Sequence, residues 1–313
     1  MVSQDAIKAV FEKALKLKAH ESCLIVTDTV KEHIGRPFYE HARLITPKSR
    51  IIVIEPTQEH GAEPPQDVAS AMLEYDVQLL ITHKSLTHTS ARIKACEKGA
   101  RIASMPTITE DIANRCLDID YEALKQESNR IYGILSQAKT VRITTELGSD
   151  VTMTIGSSKI LGKTGGFIDQ PAVVGNLPEG EVHFSPETCD GTFVVDASFP
   201  DLGLLSSPLT FRAKDGMVYE ITGERSEELI QRLDRVGPRA YKVAELGIGL
   251  NPKARIIGIV LEDEKVLGTV HIALGNNCSY GGDNDVPLHL DGVITRPDIY
   301  VDSKKLVEKG RFI

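Results

Sequence analysis

Over the first 135 residues, short β-branched runs alternate with longer amphipathic stretches. "CLIVTDT", "RIIVIEP", "VQLLITHK" and "RIASMP" are each bounded by polar or turn residues and predict four strands. The chain opens with a predicted helix capped by Ser3, which places Ala6, Val10, Phe11, Ala14 and Leu17 on one face. "PPQDVASAMLEYD", "THTSARIKACEKGA", "TEDIANRCL" and "DYEALKQESNRIYGILSQA" read as further helices. Strands alternating with helices imply a parallel sheet covered on its faces. The turn after the first strand, "TDTVKEHIGRP", has no GxGxxG, and no GxxxxGK[ST] occurs anywhere. "GKTGG" (Gly162 to Gly166) reads as a turn.

Near residue 139 the period changes. "TVRITTELGSDVTMTIG" alternates apolar and polar positions about "LGSD", a hairpin signal. Glycine and β-character dominate from there to the C-terminus, apart from a helix at 226–237 capped by Ser226 and an ambiguous segment, "IIGIVLEDEKVL". The expected fold class is α/β plus α+β. An N-terminal parallel-sheet α/β domain of Rossmann-like form, without a nucleotide fingerprint, spans 1–138. A mixed, largely antiparallel, metal-binding catalytic domain spans 139–313.

Composition narrows the function classes. Of 313 residues 41% are hydrophobic but none is Trp, so the cores must be built from Ile, Leu, Val and Ala. A net charge of -8 argues against a nucleic-acid partner, which needs a basic face. Five scattered cysteines suggest reduced thiols. The N-terminus lacks a signal-peptide core, and no apolar run approaches the ~20 residues of a membrane span. These features predict a cytoplasmic protein with no membrane partner.

The pattern breaks at "VPLHLDGVI" (Val286 to Ile294), a strand-like run interrupted by His289 and Asp291. Residues i and i+2 of a strand share a face, so imidazole and carboxylate would stand side by side. Other metal-capable residues in apolar or glycine-rich contexts are Glu179, Glu181 and His183 in "GNLPEGEVHFSP", Glu245 in "YKVAELGIGLNP" and His271 in "GTVHIALGNN". Each has a bland reading: exposed strand residues for Glu179 and Glu181, a turn cap or ion pair for Glu245, a neutral core imidazole for His271, a mutual bond for His289 and Asp291. Together, the two histidines and three carboxylates Glu181, Glu245, His271, His289 and Asp291 are a ligand mix for Zn, Co, Mn or Fe, and so many carboxylates favour two ions over one. His33, His41, His60, His83 and His88 of the first half read as solvated.

"NLPEGEVHFSP", "AELGIGLNP", "VHIALGNN" and "HLDGVI" with the following "PDIYVD" resemble, in order and separation, motifs of the aminopeptidase T and aminopeptidase S family of metallo-aminopeptidases. The resemblance covers roughly 139–313. It implies a homodimeric hydrolase that removes N-terminal amino acids from peptides through water activated by two divalent ions (Zn, Co or Mn). Their ligands would be Glu181, Glu245, His271, His289 and Asp291, with Glu181, Glu245 and Tyr280 at the reacting site. The family's tyrosine position falls on Cys278, and Tyr280 lies two residues beyond. The same residues support an alternative. His271, His289 and Asp291 would hold one Fe(II), as in the ring-cleaving dihydroxypyridine dioxygenases, which are similar to this peptidase family. A third reading is a non-enzymatic small-ligand-binding protein.

Overall fold

The computed structural model describes residues 1–313. The chain forms two compact units. One comprises Met1–Lys125 with Gly166–Glu179, the other Gln126–Gly165 with Gly180–Ile313. The sequence suggests a single change at 138/139. The observed division falls inside a helix, α6 (Tyr121–Leu135), and returns 166–179 to the first unit.

The first unit is built on a parallel five-stranded sheet. Strands β1 (Cys23–Asp28), β2 (Ser49–Ile54), β3 (Val77–Ile81) and β4 (Arg101–Ser104) coincide with the four predicted runs. A fifth strand, β7 (Val174–Asn176), completes the order β2-β1-β3-β4-β7. Leu24, Val26, Leu80 and Ile102 of the sheet pack against Val68 and Met72 of α3 (Gln66–Met72) and Ala91 and Ala95 of α4 (Ser90–Glu97). The opening helix α1 (Gln4–Lys8) is capped as predicted, the Ala6 amide donating to Ser3 Oγ at 3.2 Å, and runs on as a π-helical turn, Ala9–Ala14.

Helix α2 (Glu32–Ile45) is absent from the sequence reading, because Gly35 and Pro37 both look like helix breakers. Its buried positions Ile34, Phe38, His41 and Ala42 nevertheless follow helical spacing. Gly35 is required there: a methyl in its place would stand 2.9 Å from the Thr27 side chain of β1. His41 corrects the solvated reading. It is 9% exposed and stacks on Phe11 with ring centroids 5.6 Å apart, while His33, His60, His83 and His88 are exposed.

In the second unit every strand pairing is antiparallel. The predicted hairpin forms β5 (Thr140–Thr144) and β6 (Asp150–Thr154) within an eight-stranded sheet that also includes β9 (Thr188–Val195). A six-stranded sheet has the order β11-β10-β16-β15-β14-β8. Its strands are β8 (Glu181–Phe184), β10 (Ser198–Phe199), β11 (Gly203–Leu204), β14 (Val243–Gly249), β15 (Val270–Gly275) and β16 (His289–Ile294). The apolar faces of the two sheets meet, and a methyl on Gly292 of β16 would press on Val195 of β9 at 2.7 Å. Helix α7 (Ser226–Val236) begins where expected, but Ser226 is its first residue. The residue before it, Arg225, is left-handed and gives no side-chain cap. The ambiguous segment holds one short helix, α8 (Val260–Asp263). No helix is long and apolar enough to cross a membrane.

Candidate metal centre

Strand register explains why distant residues converge. On one face of the six-stranded sheet, His183 of β8, Gly247 of β14 and His271 of β15 form a row across three strands. The next row is Glu245, Ala273 and Asp291. Glu181 lies opposite Gly249, and His289 opposite Gly275. Glu245 shares this face with Gly247 and Gly249 by strand alternation, and the register shifts only beyond it, between Val243 and Glu245. The intervening residues are Gly or Ala, and the polar side chains fold over the space they leave. A methyl on Gly247 would stand 2.1 Å from both Cε1 and Nε2 of His271.

The result is a tight polar cluster. His289 Nε2 lies 3.2 Å from Asp291 Oδ1 and 3.0 Å from Glu245 Oε2. His271 Nε2 lies 3.3 Å from Glu181 Oε2 and 3.4 Å from Glu245 Oε1. His183 Nδ1 approaches Glu245 Oε1 to 2.6 Å and Glu181 Oε1 to 3.2 Å. The Lys265 ammonium is 2.6 Å from both Glu181 Oε1 and Glu264 Oε1. Tyr280 places its hydroxyl 3.5 Å from His289 Nε2, its ring meeting that of His183 edge-on at 5.2 Å.

The donor set suits a divalent ion. Ligand atoms of Glu181, His183, Glu245 and His271 lie within 4.8 Å of one another, as do those of Glu245, His289 and Asp291, and those of Glu264, His271 and Asp291. Glu245 and Asp291 therefore each neighbour both His271 and His289. Glu181 Oε2 and His183 Nδ1 are buried yet make no properly directed hydrogen bond, although acceptors and donors crowd them. Polar atoms brought close without hydrogen-bond alignment are what a shared cation would organise. His289 is oriented by its other nitrogen, since Nδ1 donates to the Asn276 carbonyl at 2.7 Å and so turns Nε2 toward Asp291.

Burial opposes charge throughout the cluster; the paired charges outweigh it at Glu181 and His271 but not at Glu264. Burial pushes Glu181 up, but Lys265 and His183 hold it well below the carboxylate range. His271 is disfavoured as a cation by burial, yet Glu245 and Glu181 push it up to about 9. Burial raises Glu264 to about 7 against the pull of Lys265.

All six residues assigned site roles from the sequence, Glu181, Glu245, Tyr280, His271, His289 and Asp291, meet in this cluster. Cys278, at the expected tyrosine spacing, is exposed. Glu179 is buried and belongs to the first unit, contrary to its expected place on an exposed strand. Sequence patterning marked His183 as metal-capable without placing it among the ligands, and it did not single out Glu264 or Lys265. The signal for the last two was the charged quartet Glu262–Lys265 within an apolar segment. Its first two members fasten a loop: Glu262 accepts from the Arg255 amide at 2.6 Å, and Asp263 from the amides of Ile257 and Gly258 at 2.8 Å. Glu264 and Lys265 turn into the cluster.

The fold and the cluster define a two-unit α/β, α+β protein with a nitrogen- and oxygen-donor centre of the kind that holds a divalent metal. Residues 40–313 match the family described as NicX, 2,5-dihydroxypyridine 5,6-dioxygenase, and the chain belongs to that family. It is 23% identical over 260 residues to the 2,5-dihydroxypyridine 5,6-dioxygenase of Pseudomonas putida, covering 77% of this chain and 71% of the relative. Among solved structures, 2,5-dihydroxypyridine dioxygenase from the same organism superposes with a TM-score of 0.84 at 18% identity, over 98% of this chain and 96% of that one. AmpT from Thermus thermophilus superposes with a TM-score of 0.71 at 16% identity, over 99% and 98%.

These findings correct the expected function. The resemblance to aminopeptidase T holds at the level of fold. The expectation of a hydrolase, a two-metal aminopeptidase acting on peptides, is overturned by membership of a family of dioxygenases. The carboxylates that argued for two ions also have cationic or imidazole neighbours, Lys265 and His183 beside Glu181 and His183 and His289 beside Glu245, which the spacing of the sequence does not reveal.

Proposed function

We propose that this chain is a ring-cleaving dioxygenase acting on a dihydroxylated pyridine or a close aromatic relative, with one Fe(II) held by His271, His289 and Asp291. The observation that carries this reading is the family match across residues 40–313. Placement supports it. The two histidines and Asp291 lie on one sheet face, on neighbouring strands, with Asp291 opposite Ala273 and so between them. Two imidazoles and one carboxylate leave open positions on an iron ion. Bound Fe(II) would supply the redox chemistry that lets dioxygen react with an aromatic ring.

The chain's own residues would do the rest. The near-perpendicular rings of His183 and Tyr280 offer a flat-sided wall to a planar substrate. Glu245 and Glu181 flank His183 Nδ1 and favour the protonated imidazole, so this side chain can present a proton to the bound ring. Both oxygen atoms enter the product as one ring bond breaks, and no outside reductant is needed.

The test is anaerobic purification with Fe(II), followed by oxygen uptake on 2,5-dihydroxypyridine and a panel of dihydroxylated rings. One O2 consumed per ring opened, with loss of the aromatic absorbance, is expected. No uptake on any dihydroxylated ring by iron-loaded protein would overturn the proposal.

A further inference from the structure

The cluster holds more carboxylate than one iron site needs, and the use of the surplus is the question. Glu181, Glu245, Glu264 and Asp291 all lie within it, and together they would readily draw in two divalent cations. One residue stands in the way. Lys265 lies two residues beyond the end of α8, its amide donating to the Glu262 carbonyl at 2.9 Å. Its side chain is 1% exposed, and its ammonium reaches Glu181 and Glu264 at 2.6 Å each. An ammonium so enclosed cannot swing into solvent to make room.

We propose that the Lys265 ammonium is a built-in countercation for Glu181, so that the cluster accepts one divalent ion and refuses a second. An ion ligated by Glu181 would sit ~2.1 Å from a carboxylate oxygen. The oxygen Oε1 is already engaged by Lys265, and a dication placed there would face a positive nitrogen at little more than ligand distance, with no water between to screen them. Glu181 is thereby shared. Oε1 serves the lysine, while Oε2, buried and without a hydrogen-bond partner, faces His271 Nε2 at 3.3 Å. Deleting the charge while keeping the length of the side chain should open the second position, because Glu181, His183 and Glu245 stay in place with the ammonium gone from Oε1.

This inference rests on the single-ion reading above, and Mn(II) alone serves as the probe. Metal-free full-length protein is titrated with Mn(II), free ion is counted by its EPR signal, and the bound spectrum is recorded. The expected result is one Mn(II) per chain with an isolated-ion spectrum for the native protein and for Lys265→Arg. Lys265→Met should take two, with a spin-coupled spectrum. Lys265→Gln provides a second neutral variant should the first not fold. Two ions in the native protein, or one in a folded neutral variant, overturns the lysine's role while leaving the metal site standing. No Mn(II) bound by the native protein, or an unchanged count in His289→Ala, sinks the metal reading itself and this inference with it.

Discussion

The imidazole of His271 lies directly over the backbone of Gly247, so closely that a single methyl on that glycine would overlap the ring at 2.1 Å. The two face each other across β14 and β15. His271 is 1% exposed, so the ring has nowhere to retreat. Gly247→Ala should therefore displace a proposed ligand without touching any donor atom. Metal affinity should fall at least ~10-fold, as for disturbed outer contacts of metal ligands, and stability by about 1–3 kcal/mol from overpacking. Gly133→Ala is the control. No atom lies within 4 Å of its added methyl, and its φ is not positive, so the same substitution in α6 should raise stability by about 0.4–1 kcal/mol. Equal effects at the two glycines would dismiss the steric argument.

Proton release should accompany metal uptake. His271 is raised from 6.5 to about 9 in the metal-free protein, so near neutral pH it is protonated and must lose that proton to ligate. Burial disfavours the charged form of His289, but Asp291 and Glu245 outweigh it and raise this group too. Affinity should then climb with pH through about 9 as His271 gives up its proton. The sign reverses for the metal-free fold. A raised histidine contributes stability that is full below 6.5 and is lost as pH rises through about 9. Calorimetry in buffers of different ionisation enthalpy counts the protons, with about one to two per ion expected from the two histidines. A pH-independent affinity between pH 6 and pH 9 would contradict the proposed ligands.

How far the sequence discloses this molecule depends on how local each signal is. β1 to β4 are legible because β-branched runs between turn residues need no partner to be recognised. α2 is not, since Gly35 serves a contact with Thr27 that exists only once the helix docks on β1. β7 joins its sheet from beyond residue 139, a long-range pairing that periodicity does not encode. At the centre, the His-x-Asp spacing reveals a shared face, and apolar neighbours single out Glu245 and His271. Lys265 stays hidden because a lysine reads as surface, and its burial depends on meeting Glu181 and Glu264. Without it the carboxylates alone suggest a second ion.

The first unit carries its own buried charge pair. Arg101, 6% exposed at the start of β4, donates to Glu21 through Nη1 at 2.7 Å and Nη2 at 3.0 Å, and also to the Leu15 carbonyl. Glu21→Gln leaves the guanidinium buried without a counter-charge and should cost about 3 kcal/mol at pH 7. The hydrogen bond from Arg101 holds Glu21 below its ordinary 4.5, so its stabilisation is present above that pH and disappears as pH falls through the depressed value. The gap in urea midpoint between variant and native protein should accordingly narrow in acid. A gap that stays constant from pH 7 to pH 3 would show that the charge of Glu21 contributes nothing.

Tyr280 separates two roles that the cluster assigns to one side chain. Its ring meets His183 edge-on, a contact that needs only the aromatic carbon frame. Its hydroxyl, 3.5 Å from His289 Nε2, is pushed far above the usual phenol range by burial and by the carboxylates Glu245, Asp291 and Glu181, so it is a donor at every working pH. Tyr280→Phe keeps the wall and removes the donor. If the hydroxyl delivers or steadies a proton during ring opening, kcat should fall ~100-fold while iron content and KM stay near native. Tyr280→Ala removes both, and KM should rise as well, because the planar substrate loses a face to lie against. A Phe variant with native kcat would restrict Tyr280 to the wall, and one with lost iron would make it part of the metal's support.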